Sequence, residues 1–134
     1  MALTEDRNTI SRDGSVRTLL CAAGKKFYKG ALVAVNSSGY ATPGATATTI
    51  RGVGRCEDYK DNSSGSNGDL SVTVLTGVFL FDNSASADEI TRASIGQDCY
   101  IVDDQTVAKT DGTGSRAVAG KVFDVDDNGV WVKF

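Results

Sequence analysis

The sequence predicts an all-β protein, a small single-domain β-barrel or β-sandwich with one short helix and a flexible N-terminal arm. Three observations carry that reading. Apolar runs are short and rich in Val, Ile, Phe and Thr; turn residues separate them, with 15 Gly against a single Pro; and the last eighteen residues read as a hairpin. At 134 residues the chain is one domain by length, able to bury about two thirds of the surface its unfolded form exposes. It divides into an arm, residues 1–17, and a β domain, residues 18–134.

The arm sets Glu5, Asp6 and Asp13 against Arg7, Arg12 and Arg17, with few apolar residues and no strand or helix period. Such a segment buries too little to offset its ordering entropy, so mobility is expected unless a partner supplies surface. Apolar runs at 16–23 and 31–36 follow, parted by the Lys-rich corner Gly24-Lys25-Lys26 that closes at Gly30. Phe27 and Tyr28 interrupt the lysines there. In an acidic chain this corner is expected to be solvated rather than to stack nucleobases. Ser37-Ser38-Gly39 turns the chain into a short strand at 40–42, which Pro43-Gly44 ends.

Residues 46–59 continue as an interrupted strand in which Gly52 and Gly54 mark a bulge, bend or close backbone approach. They form no phosphate loop, because no Gly-Lys-Ser/Thr tripeptide occurs in the chain. The stretch 61–69, DNSSGSNGD, has no apolar residue and is expected to project into solvent, dispensable for folding. Residues 70–81 form the most apolar strand region, with Leu70, Val72 and Val74 on one face and a bend expected at Gly77. Ser86-x-x-Glu89 has the spacing of a capping box, and Ile90 with Ala93 completes the one short helix, predicted over 86–94. Strand returns at 95–102, turns at Asp103-Asp104-Gln105 and pairs back at 106–108. A polar loop, 111–115, leads into the closing hairpin.

That hairpin, AVAGKVFDVDDNGVWVKF, centres on Asn128-Gly129, a dipeptide suited to a two-residue I′ turn. With those two residues as the loop, Asp127 faces Val130, Val125 faces Val132 and Phe123 faces Phe134, an almost wholly apolar face directed at the core. On the other face Asp124 lies opposite Lys133, an exposed pair worth ~0.2–1 kcal/mol, and Asp126 lies opposite Trp131. Trp131 therefore either faces a partner or is covered by another strand. Asp124-x-Asp126-x-Asn128-Gly129 also copies the start of a calcium loop. Its twelfth position would fall past Phe134 and its flanks are β-branched, so calcium is not expected.

Chemistry is limited by what the composition lacks. With no His, the commonest general base and any Ser–His or Cys–His nucleophile pair are excluded. The carboxylates gather in turns, where solvated Asp is ordinary, and no candidate catalytic constellation appears. Cys21, Cys56 and Cys99 stand far apart without CxxC spacing and read as reduced, buried thiols. No cofactor and no metal are expected. A net charge of −3 disfavours a phosphate-backbone partner. The opening MALTEDRNTI is too polar for a signal peptide, no stretch is apolar enough for a membrane span, and Leu20 is too large before Cys21 for a lipidation box. A chain made and kept in the cytoplasm is the expectation.

Several segments, taken in order, resemble the capsid decoration, or cement, proteins of tailed bacteriophages. GKKFYKGALVAVNSSGYAT resembles the opening of that family, TGVFLF its central strand, and IGQDCYIVDDQTVAKTDGTGSRAVAGKVFDVDDNGVWVKF its C-terminal part, including the Asp-Asp-Gln-Thr-Val turn and the DDNGVWV hairpin. The resemblance covers about residues 24–134, and the 61–69 loop looks like an insertion. It implies a virion protein without catalysis that is made in the host cytoplasm and joins the head surface. There it would bind the major capsid protein on the outside of an expanded head and brace neighbouring subunits. A homotrimer is the favoured state, although dimers and monomers occur in the family. It also implies an arm that orders on the shell, so that Arg7, Ile10, Arg12, Val16 and Arg17 would carry capsid contact, with Trp131 a subunit or capsid contact. Neither nucleic acid nor membrane is an expected partner. The competing expectation is a carbohydrate- or ligand-binding β module of a phage tail or cell surface, which would need exposed aromatic rings where this chain has one Trp and four Tyr.

Overall fold

A computed structural model describes residues 1–134. The strands are β1 (Val16–Leu20), β2 (Lys25–Phe27), β3 (Leu32–Asn36), β4 (Ala41–Pro43), β5 (Ile50–Cys56), β6 (Lys60–Asn62), β7 (Ser71–Leu75), β8 (Val78–Phe81), β9 (Asp98–Ile101), β10 (Val107–Ala108), β11 (Val118–Asp126) and β12 (Gly129–Lys133). They form two five-stranded sheets, β1-β7-β5-β3-β4 and β10-β9-β11-β12-β8, and the small pair β2-β6. All pairings within them are antiparallel.

In each large sheet the chain next to one end strand touches the other end at a single bridge. In the first, Cys21 after β1 bridges Ala41 of β4, and the Ala22 N–H donates to the Ala41 carbonyl at 2.9 Å. In the second, Asp82 after β8 bridges Thr106 before β10, with the Asp82 N–H donating to Gln105 O at 2.8 Å and the Val107 N–H to Asp82 O at 3.0 Å. The chain passes from one sheet to the other at Gly77, whose φ of 146° permits the corner the sequence predicts.

Two apolar clusters fill these sheets. The larger takes 13 buried residues, chiefly from the second sheet and including Ile101, Val122, Val130 and Val132. The smaller takes eight, among them Cys21, Phe27, Cys56, Val72 and Val74. β3 belongs to both: Leu32 and Ala34 enter the larger cluster while Val33, and Ala31 just before the strand, enter the smaller. Alternation on a strand with no solvent face makes β3 the wall between the cores. Beside it, a Cβ at Gly52 would overlap the Ala119 backbone of β11, and one at Gly54 would overlap the Leu75 carbonyl of β7. These are the close approaches anticipated at the two glycines, and the β3–β5 register shifts between Val33 and Ala34, opposite them.

Several expectations are corrected. The predicted helix is instead two 3₁₀ turns, Ser86–Asp88 and Arg92–Ser94. The capping box does not form, because Ser86 lies inside the first turn at φ 58° and Ala85, which has no capping side chain, precedes it. In the closing hairpin the loop is Asp127-Asn128, with Asp126 opposite Gly129, Val125 opposite Val130 and Asp124 opposite Trp131. A bulge at Phe123 then puts Val122 opposite Val132 and Lys121 opposite Lys133, so the Asp124–Lys133 pair does not form and Phe123 turns out to solvent, 57% exposed. Gly129 is required twice over: its φ of 141° favours glycine, and a Cβ there would overlap the Phe81 carbonyl of the adjoining strand. Leu70, expected inward, is partly exposed, whereas Val72 and Val74 are fully buried.

The stretch 61–69 does not stand off in solvent. Asn62 is 2% exposed, and its Nδ2 donates to Ala22 O at 2.9 Å and Ser66 O at 3.1 Å. The Ala23 N–H donates to Asn67 Oδ1 at 2.7 Å and the Gly68 N–H to Cys21 O at 2.9 Å. Backbone groups that needed partners found them in polar side chains, which a composition rule for loops does not register. The corner at 24–30 is likewise partly ordered, with Lys25–Phe27 paired to Lys60–Asn62 and Phe27 wholly buried.

Candidate interaction surface

The residues singled out in the arm fall into two groups. Val16 and Arg17 belong to β1, opposite Leu75 and Val74, so the arm ends at residue 15 rather than 17. Arg7, Ile10 and Arg12 lie in the exposed stretch before it, which has no strand or helix, and Ile10 is 89% exposed. Arg12, Val16 and Arg17 come together around one shallow hollow with Thr18. The stretch is anchored where it joins the body, since the Thr76 N–H donates to Ser15 O at 3.0 Å and the Thr76 hydroxyl to Gly14 O. β1 is an edge strand: β7 pairs with one side of it, and Val16 and Leu20 are about half exposed.

Trp131 stands on the outer face of the second sheet, flanked in register by Leu80 of β8 and Asp124 of β11. No strand covers that face. Trp131 Nε1 donates to Asp126 Oδ2 at 2.8 Å, while Asp126 Oδ1 accepts the Asn128 N–H at 2.8 Å. The indole bond first, and the backbone bond second, hold the Asp126 carboxyl below its ordinary range. Val78, Phe123, Asp124, Asp126 and Trp131 line a shallow hollow, beside which Leu80 is 40% exposed. The apolar groups thus form one uncovered patch with carboxylates at its border. Phe123 joins the patch only because of the β11 bulge, and no sequence signal marked it.

A second exposed cluster was missed in the sequence because its members are distant along the chain. Phe27 pairs with Lys60, which sets Tyr28 beside Tyr59 with ring centroids 5.6 Å apart and planes tilted by 49°. Elsewhere some titratable groups serve the structure. Thr110 and then Arg116 hold the Asp88 carboxyl low, with Arg116 Nη1 at 3.3 Å. Burial pushes the Cys99 thiol up to about 11, which keeps it protonated at neutral pH. All three cysteines are free and buried, and no three His, Cys, Asp or Glu side chains converge closely enough to hold a metal ion.

Fold and surfaces together define a small all-β protein with two five-stranded sheets, an exposed N-terminal stretch and an uncovered apolar patch. No family model, curated protein or solved structure matches the chain.

Proposed function

We propose that the protein is a structural component of a bacteriophage head, a decoration protein that binds the outside of the expanded shell and reinforces contacts between copies of the major capsid protein. The observation that carries this reading is the uncovered patch of Val78, Leu80, Phe123 and Trp131, since a contiguous apolar surface with a polar border is the kind that partners cover. The segmental resemblance of residues 24–134 to decoration proteins supports it, as does an exposed N-terminal stretch available to order on a shell. The role is mechanical rather than catalytic, the favoured assembly is a trimer, and the site of action is the virion surface after synthesis in the host cytoplasm. Each bound copy stabilises the assembled shell by preferring it to free subunits, and many weak sites act together.

The test is to mix the protein with undecorated heads, then follow co-sedimentation and the temperature of DNA release. Saturation at a defined number of copies with a raised release temperature is the expected result. Binding without saturation, at an unchanged temperature, overturns the proposal. A carbohydrate- or ligand-binding module of a phage tail or cell surface is the second reading, favoured by the exposed Tyr28–Tyr59 pair.

A further inference from the structure

Tyr28, whose ring meets that of Tyr59, also lines a groove where the two halves of the molecule meet. Tyr28, Lys29, Gly30 and Ala31 form one wall, and Asp104 and Gln105 the other. Both walls are fixed by backbone bonds. The Ala31 N–H donates to Tyr28 O at 3.1 Å and the Gly30 N–H to Cys56 O at 2.9 Å, closing the first turn onto β5. Across the groove the Leu32 N–H donates to Asp104 O at 2.7 Å, and the Gln105 N–H to Asp103 Oδ1 at 2.9 Å. Tyr59 is held by its neighbours: the Thr73 N–H donates to Asp58 Oδ1 at 3.1 Å, and Lys60 sits in the β2–β6 pair.

Two rings, 55% and 53% exposed, are thus kept in water on ordered backbone, where burying them would have stabilised the fold. We propose that this corner and groove bind a neutral glycan built of hexopyranose units. The C–H face of such a sugar stacks on an aromatic ring, and its hydroxyls need both donors and acceptors within reach. Lys29 donates, Asp104 accepts and Gln105 does both. Charge disfavours an anionic ligand, because the groove is lined by Asp104 as well as Lys29, and Lys60 and Lys26 are matched to Asp58 at 3.8 Å and Asp61 at 3.9 Å, which leaves Lys25 and Lys29 unpaired. Two unpaired lysines, Lys25 and Lys29, are too few to track a phosphate backbone. The 49° tilt makes the two rings a corner rather than a flat platform. It therefore fits a soluble, bent or terminal oligosaccharide and not the flat face of a crystalline polymer. Because the walls are pre-ordered, little conformational freedom is lost on binding.

This site is independent of head binding, and its test uses the isolated full-length protein. Amide spectra of the labelled protein are recorded during titration with maltohexaose, cellohexaose, laminarihexaose, mannohexaose and chitohexaose, and with a heparin hexasaccharide and a ten-base oligothymidylate as anionic controls. At least one neutral sugar should shift the amides of Tyr28, Lys29, Gly30, Asp104 and Gln105 with Kd of about 1 mM or tighter. Joint Tyr28→Ala and Tyr59→Ala substitution should weaken that binding at least about tenfold, whereas joint Tyr→Phe substitution, which keeps both rings, should hold it within about threefold. No shift from any neutral sugar at about 10 mM overturns the proposal. So does binding that the alanine variant retains, or a preference for either anionic control.

Discussion

The two apolar cores are enclosed by different means. Around the larger, strands supply the walls themselves: Ile101, Val122, Val130 and Val132 point inward from β9, β11 and β12, and each sits in a ladder whose alternation places it there. Around the smaller, Val72, Val74 and Phe27 do the same, but one side is tied down by polar chain, with Asn62 and Asn67 bonded to the backbone of Ala22 and Ala23. One enclosure rests on removal of apolar surface from water, and the other partly on satisfying buried backbone groups. β3 joins them, since its two faces belong to different cores.

The greatest expected loss comes from charging the larger core. Val132 is fully buried opposite Val122, so Val132→Asp should cost several kcal/mol against a total of ~5–15 and leave little folded protein, read as loss of the cooperative thermal transition. Survival of that transition with a normal midpoint would mean that the hairpin's inward face is assigned wrongly.

Next comes the polar closure of the smaller core. Asn62→Ala leaves the Ala22 and Ser66 carbonyls without the Nδ2 donor and should cost about 1–3 kcal/mol in urea denaturation. Replacing residues 62–68 by a short Gly/Asn turn should destabilise at least as much, the reverse of what the loop's composition predicts. A swap that leaves the urea midpoint unchanged would return the loop to the status of a solvated insertion.

Smaller effects belong to the outer face of the second sheet. The Asp126 carboxyl has a folded pKa below the ordinary 3.8, so its bonds to Trp131 and Asn128 stabilise the fold above that value and are lost as pH falls through the folded pKa. Trp131 emission should therefore shift in acid below about pH 3.8, and Asp126→Ala should already show the shifted emission at neutral pH. Smallest of all is Lys133→Ala. Lys133 faces Lys121, whose partner is Asp98 at 2.6 Å, so removing it should change stability by no more than ~0.5 kcal/mol. A larger loss would point to a carboxylate partner for Lys133, as the sequence-based register supposed.

What could be read from the sequence follows the same division. Val72 and Val74 by alternation, the corner at Gly77 and the close approaches at Gly52 and Gly54 were legible because strand period and glycine geometry are local. The hairpin was placed correctly and registered wrongly, since Gly129 pairs with Asp126 as the first residue of β12, against the Phe81 carbonyl 48 residues upstream, rather than sitting in the two-residue loop. Ser86-x-x-Glu89 had the spacing of a cap without the backbone of one. On the surface, alternation alone puts Trp131 on the face away from the core-facing valines, and the structure has it there. Phe123 needed the bulge, and Tyr28 and Tyr59 needed the β2–β6 pairing, before either could be seen as exposed together with its neighbours.

That one strand binds the two cores into a single folding unit is tested most directly by unfolding the protein in urea with one probe in each half. In a Cys99→Ala variant, Trp131 fluorescence reports on the second sheet, and the reactivity of the buried thiols Cys21 and Cys56 reports on the first. Because Leu32 and Val33 cannot leave one core without disturbing the other, the two transitions should coincide in midpoint and slope. Thiols that become reactive at a clearly lower urea concentration than the one at which Trp131 changes would contradict it, showing that the smaller core opens alone.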